Sequence, residues 1–171
     1  MSEASAKPLD HVRASIVEAR ALIFDVDGTL AETEEAHREA FNAAFAEAGL
    51  DWRWDRALYK ELLRVTGGKE RIRAYDVSRN GASPQLSDPE IAELHQAKTK
   101  LYADLITNGG CSLRPGVQAV LAAARKRGQP LAIATTTSRD NIDALLTVAL
   151  GKDWEQWFAA ISAGDEVRNK K

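Results

Sequence analysis

A short apolar run, Ala21-Leu22-Ile23-Phe24, ends directly in Asp25-Val26-Asp27-Gly28-Thr29, and no other feature limits the fold of this chain as strongly. An apolar run of that length bounded by a turn reads as a strand of a parallel sheet buried on both faces. Parallel neighbours need crossover connections, so such a strand belongs to an α/β architecture. Two carboxylates held at its end gain nothing from one another, because each disfavours ionisation of the other unless a cation lies between them. A divalent metal ion answers that cost. The alternative is a calcium-like or merely solvated acidic turn.

Downstream the periodicity turns helical. Phe41, Ala44, Phe45 and Ala48 share one face of a helix predicted over Thr33 to Ala48, with Gly49 as its C-cap. Three more helical stretches follow, marked by Leu58, Leu62 and Val65, by Ile72 and Tyr75, and by Ile91, Leu94, Leu101 and Leu105 behind the entry signal Ser87 and Pro89. Asn108-Gly109-Gly110 breaks the pattern, and Pro115-Gly116 opens an alanine-rich helix to Arg127. Leu131-Ala132-Ile133-Ala134 then reads as a second strand, Ser138 or Thr137 caps a helix to Leu150, and Phe158-Ala159-Ala160-Ile161 reads as a third strand. Strands alternating with helices define a parallel α/β sheet, here interrupted after its first strand by an all-helical insert. The expected division is an N-terminal extension over 1–20, a core over 21–32 and 109–171, and the insert over 33–108.

Composition narrows the partners. The 171 residues are 44% apolar and 28% charged with a formal net charge of -2, so no general attraction to nucleic acid or to a membrane follows. No run reaches the length of a transmembrane helix. Cys111 is the only cysteine, which excludes an intrachain disulfide and suits a reducing compartment, hence the cytoplasm.

Ligands of parallel α/β sheets gather at the carboxyl ends of the strands. There Asp25 can attack an electrophile covalently while Asp27 serves as general acid and then general base, with a metal neutralising the attacking carboxylate and the anionic substrate. Thr135, Thr136 and Thr137 lead into a helix N-terminus, where hydroxyls and free amides can cradle a phosphate; threonine is also an ordinary strand and cap residue. Gly67-Gly68-Lys69 and Arg71 could hold an anionic substrate, or form a glycine turn before an exposed helix. Glu32 and His37 leave the sheet close enough to the acidic turn to line a cleft, although a lone helical histidine is commonly structural. Trp52 and Trp54 suit packing better than binding. Lys170 and Lys171, taken alone, are a solvated tail.

Asp25-Val26-Asp27-Gly28-Thr29-Leu30 resembles the first motif of the haloacid dehalogenase superfamily, and the order of strand, helical insert and threonine-bearing strand matches it. Leu30-Ala31-Glu32-Thr33-Glu34-Glu35, Trp52-Arg53-Trp54-Asp55, Thr66-Gly67-Gly68-Lys69-Glu70-Arg71-Ile72 and Ala134-Thr135-Thr136-Thr137-Ser138 resemble the CbbY subgroup. The resemblance implies a Rossmann-like core with a helical cap. It further implies a Mg2+-dependent phosphatase of small sugar phosphates such as xylulose 1,5-bisphosphate, with Asp25 as nucleophile and Asp27 as acid/base, the metal being held by Asp25 and by the backbone carbonyl of Asp27. Thr135 and Thr136 would hold the phosphoryl group, Lys171 would match the lysine of the third motif, and Glu32, His37, Lys69 and Arg71 would face the substrate. A monomer is expected of a complete chain. Family members continue past this lysine into further strand-helix units carrying a fourth, acidic motif, so a truncated core with little activity and an unpaired edge on the Asp25 strand is also expected. The other readings are a β-phosphoglucomutase-like mutase and a non-catalytic remnant.

Overall fold

The computed structural model describes residues 15–81, 83–164 and 166. Among them the elements run β1 (Leu22–Phe24), α1 (Glu34–Glu47), α2 (Arg56–Leu62), α3 (Gly68–Asn80), α4 (Asp88–Thr107), α5 (Val117–Lys126), β2 (Leu131–Ala134), α6 (Arg139–Leu150), a 3-10 turn (Trp154–Trp157) and β3 (Ala160–Ser162). The strands form a parallel sheet in the order β1-β2-β3. Rossmann-like α/β architecture with four helices between β1 and α5 is therefore the observed arrangement.

Alternation along the strands separates two faces. Leu22 pairs with Leu131, and Phe24 with Ile133 and on to Ile161, and this row packs into the core. The other row runs from Ile23 through Ala132 to Ala160. Ile23 is 69% exposed, against the expectation of burial on both faces, because no described element covers that side. β2 is the middle strand of the three and β1 lies at the edge of the described sheet, in line with the unpaired edge expected for the Asp25 strand.

Local chemistry explains most boundaries. α4 starts with a capping box in which Ser87 and Glu90 satisfy each other's backbone amides, with Pro89 in the first turn. It ends at Asn108, after which Gly109 takes a φ of 84° and Gly110 N–H returns to the Leu105 carbonyl. β3 begins two residues later than the sequence pattern suggests. Phe158 is spent on packing edge-on against Trp154, at 6.0 Å between ring centroids, and so closes the 3-10 turn instead of opening the strand.

Two apolar clusters hold the molecule. One lies under the sheet and gathers Val26, Leu30, Leu121, Leu131, Ile133, Ile142, Leu145 and Leu146. The other is aromatic, with Phe41, Phe45, Trp52, Trp54, Tyr59 and Tyr75. Trp54 is fully buried, and Asn42 on α1 pins its backbone at both ends, donating to the carbonyl at 2.8 Å and accepting from the amide at 2.7 Å. α1 and α4 contribute to both clusters: Ala36, Ala40, Tyr102 and Ile106 pack under the sheet, Ala44, Ile91 and Leu94 in the aromatic group. No helix among the described residues is long and apolar enough to cross a membrane.

Candidate active site

β1 ends one residue before Asp25, whose Oδ1 accepts the Val26 amide at 2.8 Å. Val26, Leu30 and Ala31 are buried, and the Val26 carbonyl collects the amides of Thr29, Leu30 and Ala31. Gly28 makes the turn possible with a φ of 72°, a region costly for side-chain-bearing residues. The turn is clamped from outside by Arg114, which donates to the Gly28 carbonyl and pairs with Glu32 at 3.1 Å. Anchored backbone below and clamp above leave the two aspartates facing one cavity of about 600 Å³.

Asp27 is the more tightly engaged of the pair. Its Oδ1 accepts from the Thr33 hydroxyl at 2.5 Å and lies 3.2 Å from His37 Nε2. On the far side of that ring, His37 Nδ1 lies 2.6 Å from Lys98 Nζ. As an ammonium Lys98 has only donors, so it donates a hydrogen bond to Nδ1 and the hydrogen of the neutral ring sits on Nε2, aimed at Asp27. His37 stacks on Tyr102 at 4.1 Å, and Lys98 Nζ lies 5.0 and 4.8 Å from the Phe41 and Tyr102 ring centroids. Burial would raise Asp27, but the His37 contact, the Thr33 hydroxyl and the Lys98 charge outweigh it and hold the carboxyl below its ordinary range. Burial, reinforced by Lys98, pushes His37 down and keeps it neutral.

A second wall comes from the turn between β2 and α6. Thr136, Thr137, Ser138 and Asn141 line the cavity, whereas Thr135 is buried behind it, its hydroxyl accepting the Thr137 amide at 3.3 Å. Ser138 Oγ and Asn141 Oδ1 are buried without hydrogen-bond partners among the described residues, beside the N-terminus of α6. Gly164, after β3, presses against this turn: its amide donates to the Thr137 carbonyl at 2.8 Å, and a Cβ there would lie 2.0 Å from the Thr136 oxygen.

The helical side supplies the roof. Lys69 and Arg71 line the cavity with Gly67 and Gly68, and His95 of α4 overhangs Gly68. Glu32 lies outside this cavity, in the Arg114 pair; Glu34 stands at its edge instead. Lys171 falls outside the described residues, as does Asp165. Lys98, His95, Asn141, Gly164 and Arg114 were not found from sequence. Only Lys98 left a signal there, standing one helical turn after Leu94 and one before Tyr102 on an otherwise apolar face.

Asp25 and Asp27 are the acidic donors on the floor, and the described residues hold no group of three or more acidic, histidine or cysteine side chains suited to a metal. Magnesium commonly takes one or two carboxylates and completes its shell with other oxygens from backbone, water and substrate phosphate, so the Asp25 carboxylate with the Asp27 backbone carbonyl fits that habit.

Fold and acidic turn together define the class: the chain belongs to the haloacid dehalogenase-like hydrolases, whose family model matches residues 19–171. It is 52% identical over 155 residues to Protein CbbY of Rhodobacter capsulatus, covering 91% of this chain and 67% of that protein. A crystal structure of a CbbY variant from Rhodobacter sphaeroides in complex with xylulose 1,5-bisphosphate superposes with a TM-score of 0.81 at 47% identity, covering 89% of this chain and 66% of that one. CbbY of the same organism in complex with phosphate matches with a TM-score of 0.81 at 48% identity. The chain spans about two thirds of the length of these relatives.

Proposed function

We propose that this chain carries the nucleophile, the acid/base and the substrate roof of a magnesium-dependent sugar-phosphate phosphatase, with a sugar bisphosphate such as xylulose 1,5-bisphosphate as substrate. The observation that carries this reading is the polarity of the cavity, which has two carboxylates and the N-terminus of α6 at the floor and Lys69, Arg71 and His95 across from them. Its volume, about 600 Å³, lies in the range of small-molecule sites. The phosphate and sugar-bisphosphate complexes of the CbbY relatives support the same substrate class. In this reading residues 33–108 act as a cap over a core formed by 21–32 and 109–171.

The reaction runs in two steps. An Asp25 carboxylate oxygen attacks phosphorus, the ester P–O bond breaks, and Asp27, ionised in the unliganded site and protonated once the anionic substrate lies beside it, gives its proton to the departing sugar oxygen. Asp27 then takes a proton from water, which attacks the phosphorus of the aspartyl-phosphate and frees inorganic phosphate with Asp25 regenerated. Thr33 and His37 fix Asp27 Oδ1, leaving its other oxygen for proton transfer. Thr136 and the Ser138 hydroxyl, with the free backbone amides at the N-terminus of α6, orient the phosphoryl group. Magnesium, held by the Asp25 carboxylate and the Asp27 backbone carbonyl, would supply charge neutralisation between the attacking carboxylate and the phosphate. Phosphate release from xylulose 1,5-bisphosphate in the presence of magnesium tests this: Asp25→Asn is expected to lower it by about three orders of magnitude. Turnover surviving in that variant would sink the mechanism.

A further inference from the structure

Arg71 stands on the cavity wall, and its type alone would make it a direct anion contact. Its guanidinium is committed elsewhere. Nε donates to the Leu62 carbonyl at 3.0 Å, Nη2 to the Val65 carbonyl at 3.1 Å, and Nη1 reaches the Tyr59 hydroxyl at 3.4 Å. The group also lies over the Tyr59 ring, 5.4 Å from its centroid. Leu62 closes α2, and its carbonyl, a helix-end acceptor, takes the Val65 amide at 3.0 Å as well as the Arg71 Nε. Val65 lies in the turn that leads to Gly67, whose φ is 97°. One side chain thus ties the end of α2, the turn and the first turn of α3 together. From the other side, the His95 ring fills the space over Gly68, where a Cβ would lie 2.3 Å from Nε2. Between these two supports sits the rim Thr66–Lys69, and Lys69 is exposed at the cavity with no ion-pair partner among the described residues.

We propose that Arg71 is a positioning residue: it holds the Thr66–Lys69 rim so that Lys69 meets the second anionic group of the substrate, which Arg71 itself does not touch. The proposal rests on the sugar-bisphosphate reading given above. Lysine would keep the charge but lose the planar fork, and cannot bridge Leu62, Val65 and Tyr59 together. The test pairs amide hydrogen exchange of the unliganded protein with titration of xylulose 1,5-bisphosphate and of inorganic phosphate. Arg71→Lys and Arg71→Ala are both expected to speed exchange across 64–69 and to weaken the bisphosphate about tenfold, while inorganic phosphate, which needs only the floor, keeps its affinity. Lys69→Met is expected to weaken the bisphosphate without changing exchange. An Arg71→Lys variant that binds the bisphosphate within about twofold of wild type overturns the proposal, as does unchanged exchange across the rim. If the wild type binds no bisphosphate, the functional reading fails, and the exchange comparison still decides whether Arg71 holds the rim.

Discussion

Lys98 is 2% exposed between two aromatic rings, and burial pushes its pKa down from 10.5 to about 7. Since the folded value lies below the unfolded one, the unfolded chain carries the extra proton between those two values, and stability rises with pH through that window. Lys98→Met removes this dependence. Wild type is expected to gain stability relative to the variant as pH is raised from about 6.5 to about 9, followed by urea denaturation. A gap between the two proteins that does not change with pH would contradict the buried, destabilised charge. Asp27, whose folded pKa is also depressed, has the same sign of pH dependence in a lower window: its contribution is present above the unfolded value and fades as acid titrates it. The residues that carry the floor were legible because Asp25 and Asp27 are near neighbours in the chain and follow an apolar run. Gly164 was not, because its constraint is a backbone approach to Thr136, and no local pattern encodes a contact between segments that meet only in the fold.

α3 shows how one side chain can set the path between two elements. Asp76 is fully buried, and its carboxylate accepts Asn80 Nδ2 at 2.8 Å and the amides of Gln85 and Leu86 at 2.9 Å each, with Arg73 at 4.0 Å. Burial alone would raise its pKa, but the backbone donors, Asn80 and Arg73 keep it ionised and below the ordinary range. These bonds deliver the chain to the Ser87 cap of α4. Asp76→Asn places an amide where donors converge and is expected to cost about 2 kcal/mol in urea unfolding. A cost near zero would show that the turn finds its path without the carboxylate. The helices themselves were readable: the Ser87 and Pro89 signal and the Gly49 and Gly109 stops lie where local chemistry puts them. β3 was displaced because Phe158 looks like strand in sequence and acts as a packing residue against Trp154.

Across the whole molecule the sheet is covered on one face, while on the other, among the described residues, Ile23 and Ala160 are exposed and Ala132 between them is half-buried. β1 is also an edge strand of the described sheet, so an exposed apolar row and unpaired backbone groups coincide. Ile23→Lys is expected to reduce concentration-dependent association of the 171-residue chain, read by light scattering; equal scattering by both proteins would show that this surface is not the adhesive one. The parallel order of strands was legible from their alternation with helices, whereas the bare face was not, because an apolar triplet reads the same whether one side or both are covered. The sharing of α1 and α4 between the two apolar clusters bears on how such a molecule can be rearranged. The helical stretch looks in sequence like an insert that could be excised or grafted at its ends. Ala36, Ala40, Tyr102 and Ile106 within it are the lining of the sheet's own core. A recombinant that exchanged 33–108 for a foreign segment would carry away part of the sheet's lining, so the interchangeable unit is narrower than the insertion points suggest: it is the aromatic end of the bundle, not the whole of it.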